Sequence, residues 1–386
     1  MKFLRTAIAV LALGAGACGE LPAESNVVDL RVLGIKSEPA GFLINLDDLG
    51  ALTDADLTAQ LTALVVDPSG QGMELQLTSA VGCPDYIDTI TSASMQMSAS
   101  GAKLCPPPSA TSAIPPPIGP LLTTTEIVPP DMPQSFQPDD AQMIQWEPVV
   151  SSGSTGKQIG LTAEQVQAFF APEDPNLPPA LNTSLRYNRA FGTPGIVNLT
   201  FGVNGETVTA IKNVVYWPQL NYLGEQPNKN PTLGDSADPA APKIRFYSHR
   251  DDVTGNPDQL YTDPVPSISI TRGDKLYVEP NYKDAVESYQ ILVYNADTDS
   301  FDARVVDREL IRFYFYTSRG KFDPEQQFSE LSPILTGGTL HTDSEWLPPE
   351  KHDNIPTGGE IVTIWLVTHD ERAGTDWASR TILLIP

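Results

Sequence analysis

Cysteine is nearly missing from this sequence: three in 386 residues, Cys18, Cys83 and Cys105, an odd count that leaves one without a partner inside the chain. Histidine is as scarce, four in all (His249, His341, His352 and His369), and the H-E-x-x-H helix of metalloproteases is absent. No G-x-S-x-G pentapeptide occurs, so the tight turn that exposes a nucleophilic serine has no counterpart. Positive charge is also short. Lys and Arg number 24 against 48 Asp and Glu, a formal net charge of −24. Such a surface repels phosphate backbones, which excludes nucleic acid as a partner.

What is present begins with an export signal over residues 1–17. Lys2 and Arg5 make a positive start, Ala7 to Leu13 a short apolar stretch, and Gly14 to Ala17 a run of small residues before Cys18. The apolar stretch falls well short of the roughly 20 residues a spanning helix needs. Ala15-Gly16-Ala17-Cys18 resembles a bacterial lipobox, with Ala15 where that motif usually has Leu. On this reading Cys18 carries acyl chains, palmitate among them, and anchors the protein to a membrane, with residues 18–27 as its tether. Gly19 lacks the acid associated with inner-membrane retention, which points to the outer membrane of the cell envelope. The competing reading is an ordinary signal peptide cut near Ala17. Cys83 and Cys105 remain as an even pair, and in an oxidising compartment a disulfide worth about 3 kcal/mol is expected. The alternative, a two-cysteine metal site, needs two further ligands, and no histidine precedes His249.

The chain is long for one domain, and 36 prolines and 28 glycines imply many turns. "VVDLRVLGIKSEPAG" reads as a strand. "LTAQLTALVVDPSGQG" is a second, stopped by Asp67-Pro68-Ser69-Gly70, with "MELQLTSAVGCP" as its expected hairpin partner. Residues 106 to 148 are broken by proline runs and read as an extended, polyproline-like excursion, for which a proline-recognising partner is the alternative. "GLTAEQVQAFFAPEDP" is the one helix expected, capped by Thr162 and Gln165, placed to plug an open end of a sandwich. In "IVNLTFGVNGETVTAIKNVVYW", Asn204-Gly205 is a hairpin signal. Residues 218 to 235 read as a joint, and strands resume up to a terminal hairpin around Glu371 to Thr375. The expected fold is mostly β, two Ig-like antiparallel β-sandwich domains in series: an N-terminal sandwich over 28–220 with an insertion at 106–195 and one short helix, then a C-terminal sandwich over 221–386.

"LRVLGIKSEP", "VVDPSG" and "GCP" look like the start of a set of uncharacterised bacterial envelope lipoproteins with Ig-like modules. "FYFYTSRGKF", "SEWLPPE" and "IVTIWLVTHDERAGTDW" are similar to the closing module of that set. Where the set tends to have Arg-Gly-Gly in its last hairpin, this chain has Arg372-Ala373-Gly374. The resemblance implies a location and a fold and carries no known activity.

Three candidate sites follow. "NADTDSFD" offers Asn295, Asp297, Asp299 and Asp302 as oxygen ligands for a structural calcium ion, although clustered acids also simply populate turns. In "LIRFYFYT", alternation puts Arg312, Tyr314 and Tyr316 on one face and Ile311, Phe313 and Phe315 on the other. The first face is either a recognition platform or part of a domain interface. "THDER" places His369, Asp370 and Glu371 at a hairpin tip, where solvated charge is expected. The function expected is a non-enzymatic membrane-anchored envelope lipoprotein in surface recognition, adhesion or assembly. The competing class is a glycan- or calcium-dependent binding module, and an envelope hydrolase is the third.

Overall fold

The apolar run in strand β3 (Ala59–Asp67) explains the architecture, because the strand has a core on each side. Leu61, Ala63 and Val65 enter one cluster, while Leu64 and Val66 between them enter another. Successive side chains point to opposite faces, so a strand apolar on both must lie between two layers. The computed structural model describes residues 25–67, 76–84, 122–124, 142–146, 149–150, 161–219 (without 178 and 204), 228–247, 268–329 (without 283, 284, 286, 296, 297, 299, 307 and 308), 342–350 and 354–386. Within them the fold is mostly β, arranged as four principal sheets with three cores between them.

The first sheet runs β2 (Gly41–Asn45), β9 (Glu206–Gln219), β8 (Thr193–Val203), β4 (Gln76–Pro84) and β5 (Leu122–Thr124). The second runs β1 (Arg31–Glu38), β3 and β6 (Gln142–Trp146), with β7 (Val149–Val150) also on β3. Phe42, Leu199, Phe201 and Tyr216 meet Ile35 and Val65 between these two. The third sheet runs β11 (Ile268–Thr271), β20 (Thr375–Ile385), β19 (Glu360–His369), β15 (Arg312–Thr317) and β17 (Gln326–Phe328). The fourth runs β10 (Ile244–Tyr247), β12 (Leu276–Pro280), β18 (Ser344–Leu347) and β16 (Lys321–Asp323). Phe313, Phe315, Trp346, Ile364 and Leu366 fill the space between those. A hairpin of β13 (Tyr289–Asn295) and β14 (Ser300–Val306) forms a separate two-stranded sheet.

The third core joins the two modules. Leu33, Leu64 and Val66 from the first pack on Trp365, Val367 and Trp377 from the second, with Val27, Tyr314 and Tyr316 against them. Gly34 sits in this contact, where a Cβ would lie 3.1 Å from Val367 and 3.6 Å from Trp377. The two sandwiches therefore meet face to face. Even the start of the chain respects this arrangement. Before entering β1, Ser25 and Val27 bond the backbone of Thr317 in the second module, and Ser25 Oγ donates to Glu325 and accepts from the Phe322 N–H.

Several sequence expectations hold. Thr162 and Gln165 form the capping box of α1 (Ala163–Phe169), whose Val166 and Phe169, with Phe170, complete the first core. β8 and β9 pair as a hairpin around Asn204-Gly205, and β19 and β20 pair antiparallel as the terminal hairpin. Others are corrected. β3 and β4 are not hairpin partners: β3 pairs with β1, β6 and β7, whereas β4 pairs with β8 and β5 in the facing sheet. A strand needing cover on both faces belongs to an inner layer, and β4 lies in the outer one. The proline-rich stretch contributes two strands, β5 and β6, from segments that contain no proline and so keep every backbone donor. A second helix, α2 (Pro179–Phe191), joins α1. Pro179 begins it, where a missing N–H costs nothing, and Gly192 at φ +79 ends it with its N–H on the Asn188 carbonyl.

Candidate functional site

The turn between β19 and β20 is wound around one carboxylate. Asp370 Oδ1 accepts from the N–H groups of Arg372 at 2.8 Å and Gly374 at 2.6 Å, and Oδ2 accepts from Asn228 Nδ2 at 3.2 Å. The wrap forces Ala373 to φ +73, the left-handed region that favours glycine. Arg372 points the other way. Its Nε donates to Glu309 at 2.8 Å, a terminal nitrogen reaches Glu287 at 2.8 Å, and the guanidinium lies 4.4 Å over the Tyr289 ring. Tyr289 in turn donates to Glu371 at 2.8 Å. "THDER" is thus not solvated charge at a hairpin tip: Asp370 and Arg372 are buried.

The first module and the joint hold this turn in place. Asn228 Nδ2 also donates to the Arg372 carbonyl at 3.1 Å. Asn230 donates to the Ser37 carbonyl at 2.7 Å and accepts from the Thr375 N–H at 2.9 Å, so one amide stitches the joint to both modules. Lys212 on β9 supplies the remaining contact. Val208, Ala210, Val214 and Tyr216 give β9 its core-facing parity, and Lys212 occupies a place of that parity. Its ammonium crosses the seam to donate to the Ala373 carbonyl and, at 3.1 Å, to Thr375 Oγ1.

Burial governs the electrostatics here. It lowers the Lys212 pKa to about 8, with Asp370 opposing the shift. Glu309 is pushed up to about 7 by burial, against the pull of Arg372, while Asp370 and Glu287 push in the same direction as burial. Burial also raises Asp370. His369, half-buried with Nδ1 3.1 Å from Thr375 Oγ1, is lowered to about 4 by burial and then by repulsion from Lys212 and Arg312.

Beside the turn lies a cleft of about 570 Å³, bounded by both modules. Val32 to Ile35 of β1 and Thr209 to Asn213 of β9 form one wall, and Arg312, Tyr314, His369 and Glu371 form the other. The expected face of β15 is therefore divided. Arg312 is exposed at the cleft, whereas Tyr314 and Tyr316 are half-buried against the intermodule core. Tyr314 still borders the cleft, with its ring edge-on to His369 at 5.4 Å and its hydroxyl accepting from Gln326.

The other candidates stand apart from this cleft. Asn295 Nδ2 donates to Asp302 Oδ2 at 2.8 Å at the tip of the β13–β14 hairpin, and Asp297 and Asp299 lie outside the described residues. No group of three or more His, Cys, Asp or Glu among the described residues is arranged to hold a metal ion. The backbone of Cys83 lies in β4 opposite Ile196. Its side chain lies outside the described residues, as do Cys18, Cys105, His249, His341 and His352. Sequence reasoning missed Lys212, Asn228, Asn230, Glu287, Glu309 and Arg372. For Lys212 a signal existed, a lone charge at the core parity of a strand.

No family model matches the chain, and no curated protein sequence matches it. Among solved structures, the adhesin InvE of Yersinia pseudotuberculosis is 12% identical over 90% of this chain and 58% of its own, with a TM-score of 0.15. Dimeric latent PorU of Porphyromonas gingivalis is 10% identical over 92% of this chain and 34% of its own, with a TM-score of 0.17. The chain thus spans less than two thirds of either structure, and neither superposes closely enough to bear on what this chain does.

Proposed function

We propose that this chain is a non-enzymatic envelope lipoprotein, anchored through Cys18, whose two sandwiches act as one rigid unit in surface recognition, adhesion or assembly. The observation that carries the reading is the cleft between the modules. Its walls come from both, and the intermodule core and the clasp around Asp370 hold them at a fixed spacing. A preformed concave site ordered by a scaffold is the usual setting for recognition. The fastening of Ser25 and Val27 to Thr317 supports the anchored arrangement, because a tether ending there leads directly into the rigid unit.

The test has two arms. Wild-type protein should incorporate labelled palmitate and sediment with envelope membranes, and Cys18→Ser should do neither; labelling of the variant at the wild-type level refutes anchoring. A photo-crosslinker placed at Thr209, on the cleft wall, should give one discrete adduct in the native envelope. Adducts identical to those from Glu173, an exposed position that does not line the cleft, refute recognition there.

A further inference from the structure

Three polar groups form a relay across the seam. Lys212 on β9 donates to Thr375 Oγ1 at 3.1 Å, and the same hydroxyl lies 3.1 Å from His369 Nδ1. Lys212 belongs to the first module, and the other two belong to the terminal hairpin of the second. Donor arithmetic fixes where the protons are. An ammonium can only donate, so Thr375 accepts from Lys212. Thr375 is 1% exposed, and its own hydroxyl proton needs an acceptor inside the protein. His369 Nδ1 is that acceptor, which makes the imidazole neutral with its proton on Nε2.

The relay has no place for another proton. Once Nδ1 is protonated the ring no longer accepts from Thr375, and two cations face one hydroxyl. The surroundings do not compensate. β9 presents Lys212, and β15 presents Arg312 and, edge-on at 5.4 Å, Tyr314. In the turn, Asp370 is held by the Arg372 and Gly374 N–H groups and Asn228, and Glu371 by Tyr289. Arg372 is turned onto Glu309 and Glu287. On β20, Asp376 accepts from the Leu233 N–H and faces Lys36 of β1 at 3.7 Å, while Lys36 also pairs with Glu38. Burial, then the positive charges of Lys212 and Arg312, hold the imidazole down to about 4. A released ring titrates near 6.5. A group lowered in this way favours the closed seam above about 6.5, and its contribution is lost as pH falls through about 4.

We infer that His369 is an acid-sensitive latch on the seam: proton uptake at Nδ1 breaks the Lys212–Thr375–His369 relay and parts β9 from the terminal turn, widening the cleft at that wall. The intermodule core around Trp365 and Trp377 holds no group that titrates in acid, so the modules stay joined while the turn loosens. The latch goes beyond the recognition role proposed above and does not depend on what the cleft binds.

The test uses the full mature chain in detergent micelles, labelled with ¹⁵N on histidine alone. Imidazole spectra report the tautomer and titration of each of the four histidines, and His369→Gln identifies the signal. At pH 7 His369 should be the Nε2–H tautomer, and its midpoint should lie at least one pH unit below that of an ordinary histidine. Lys212→Met should move that midpoint up toward 6.5, because one of the two cations is gone. Hydrogen exchange then compares wild type with His369→Gln, whose amide oxygen still accepts from Thr375 but takes no proton in this range. From pH 7 to pH 5, opening at the Gly374 and Thr375 amides should rise about twentyfold more in wild type than in the variant. The amides of β12, in the fourth sheet, should respond alike in both. An Nδ1–H tautomer at pH 7 overturns the inference, as does an ordinary midpoint, equal opening in the two proteins, or a loss of protection that extends equally to β12. Palmitate labelling and crosslinking from Thr209 are read at neutral pH, so a failed latch leaves the anchoring and recognition proposals standing, and the reverse.

Discussion

Lys212→Met keeps the length of the side chain and removes its charge, which isolates the electrostatics of the seam. In the folded chain burial lowers the ammonium's pKa from 10.5 to about 8. Unfolding returns it to about 10.4. Between those values the folded chain binds fewer protons than the unfolded one, so stability rises with pH through this window. The favourable end lies above the unfolded pKa, and the benefit is lost as pH falls through about 8. Worked through, the buried ammonium costs the fold about 3 kcal/mol at pH 7 and about 2 kcal/mol at pH 9. The methionine variant escapes that cost but leaves the Ala373 carbonyl without its donor, which offsets about 1–3 kcal/mol of the gain. The pH dependence is therefore sharper than the absolute difference. Urea unfolding of both proteins at pH 7 and pH 9 should show wild type gaining about 1 kcal/mol on the variant, while groups common to both cancel. A stability difference that is the same at both pH values refutes a buried, charged Lys212.

Arg372→Met strands Glu309, 1% exposed, without its guanidinium, and should cost about 3–5 kcal/mol by urea unfolding, with at least half recovered on adding Glu309→Gln. Ala373→Gly relieves a φ of +73 and should stabilise the protein by up to about 1 kcal/mol, read as a rise in melting temperature. Trp365→Ala opens the intermodule core; calorimetry should show a loss of about 3–5 kcal/mol and separate transitions for the two modules, whereas a single sharp transition would assign the coupling to the clasp alone.

Much of the fold was legible because it depends on short-range pattern. Alternation in "LIRFYFYT" placed Phe313 and Phe315 in a core and Tyr314 and Tyr316 on the opposite face. The cap at Thr162 and the antiparallel pairing of the strands that flank Asn204-Gly205 follow from local chemistry, and both form as read. α2 was missed although Pro179 and Gly192 mark its ends and Leu181 and Leu185 sit one turn apart, because Asn182, Thr183, Ser184, Arg186, Asn188 and Arg189 keep its mean hydropathy low. The site was far less legible. "DERAG" is charged and short, and its own residues give no reason for burial. That reason lies in Asn228, Asn230, Glu287, Glu309 and Lys212, distant in sequence and brought together only by the packing of the two modules. The layer order was hidden for the same physical reason. A continuous apolar run says that a strand is covered on both faces, but not by what.

The fastening of Ser25 and Val27 to Thr317 also fixes the mechanical wiring of the molecule. The first described residues of the chain belong spatially to the second module, although the first module follows them in sequence. Tension applied ahead of Ser25 is taken up first by the backbone bonds to Thr317 and by the contacts of Ser25 with Glu325 and Phe322. It reaches β1 only after those yield. The first sandwich is thereby shielded from a pull on the amino terminus, which is carried instead by the second module.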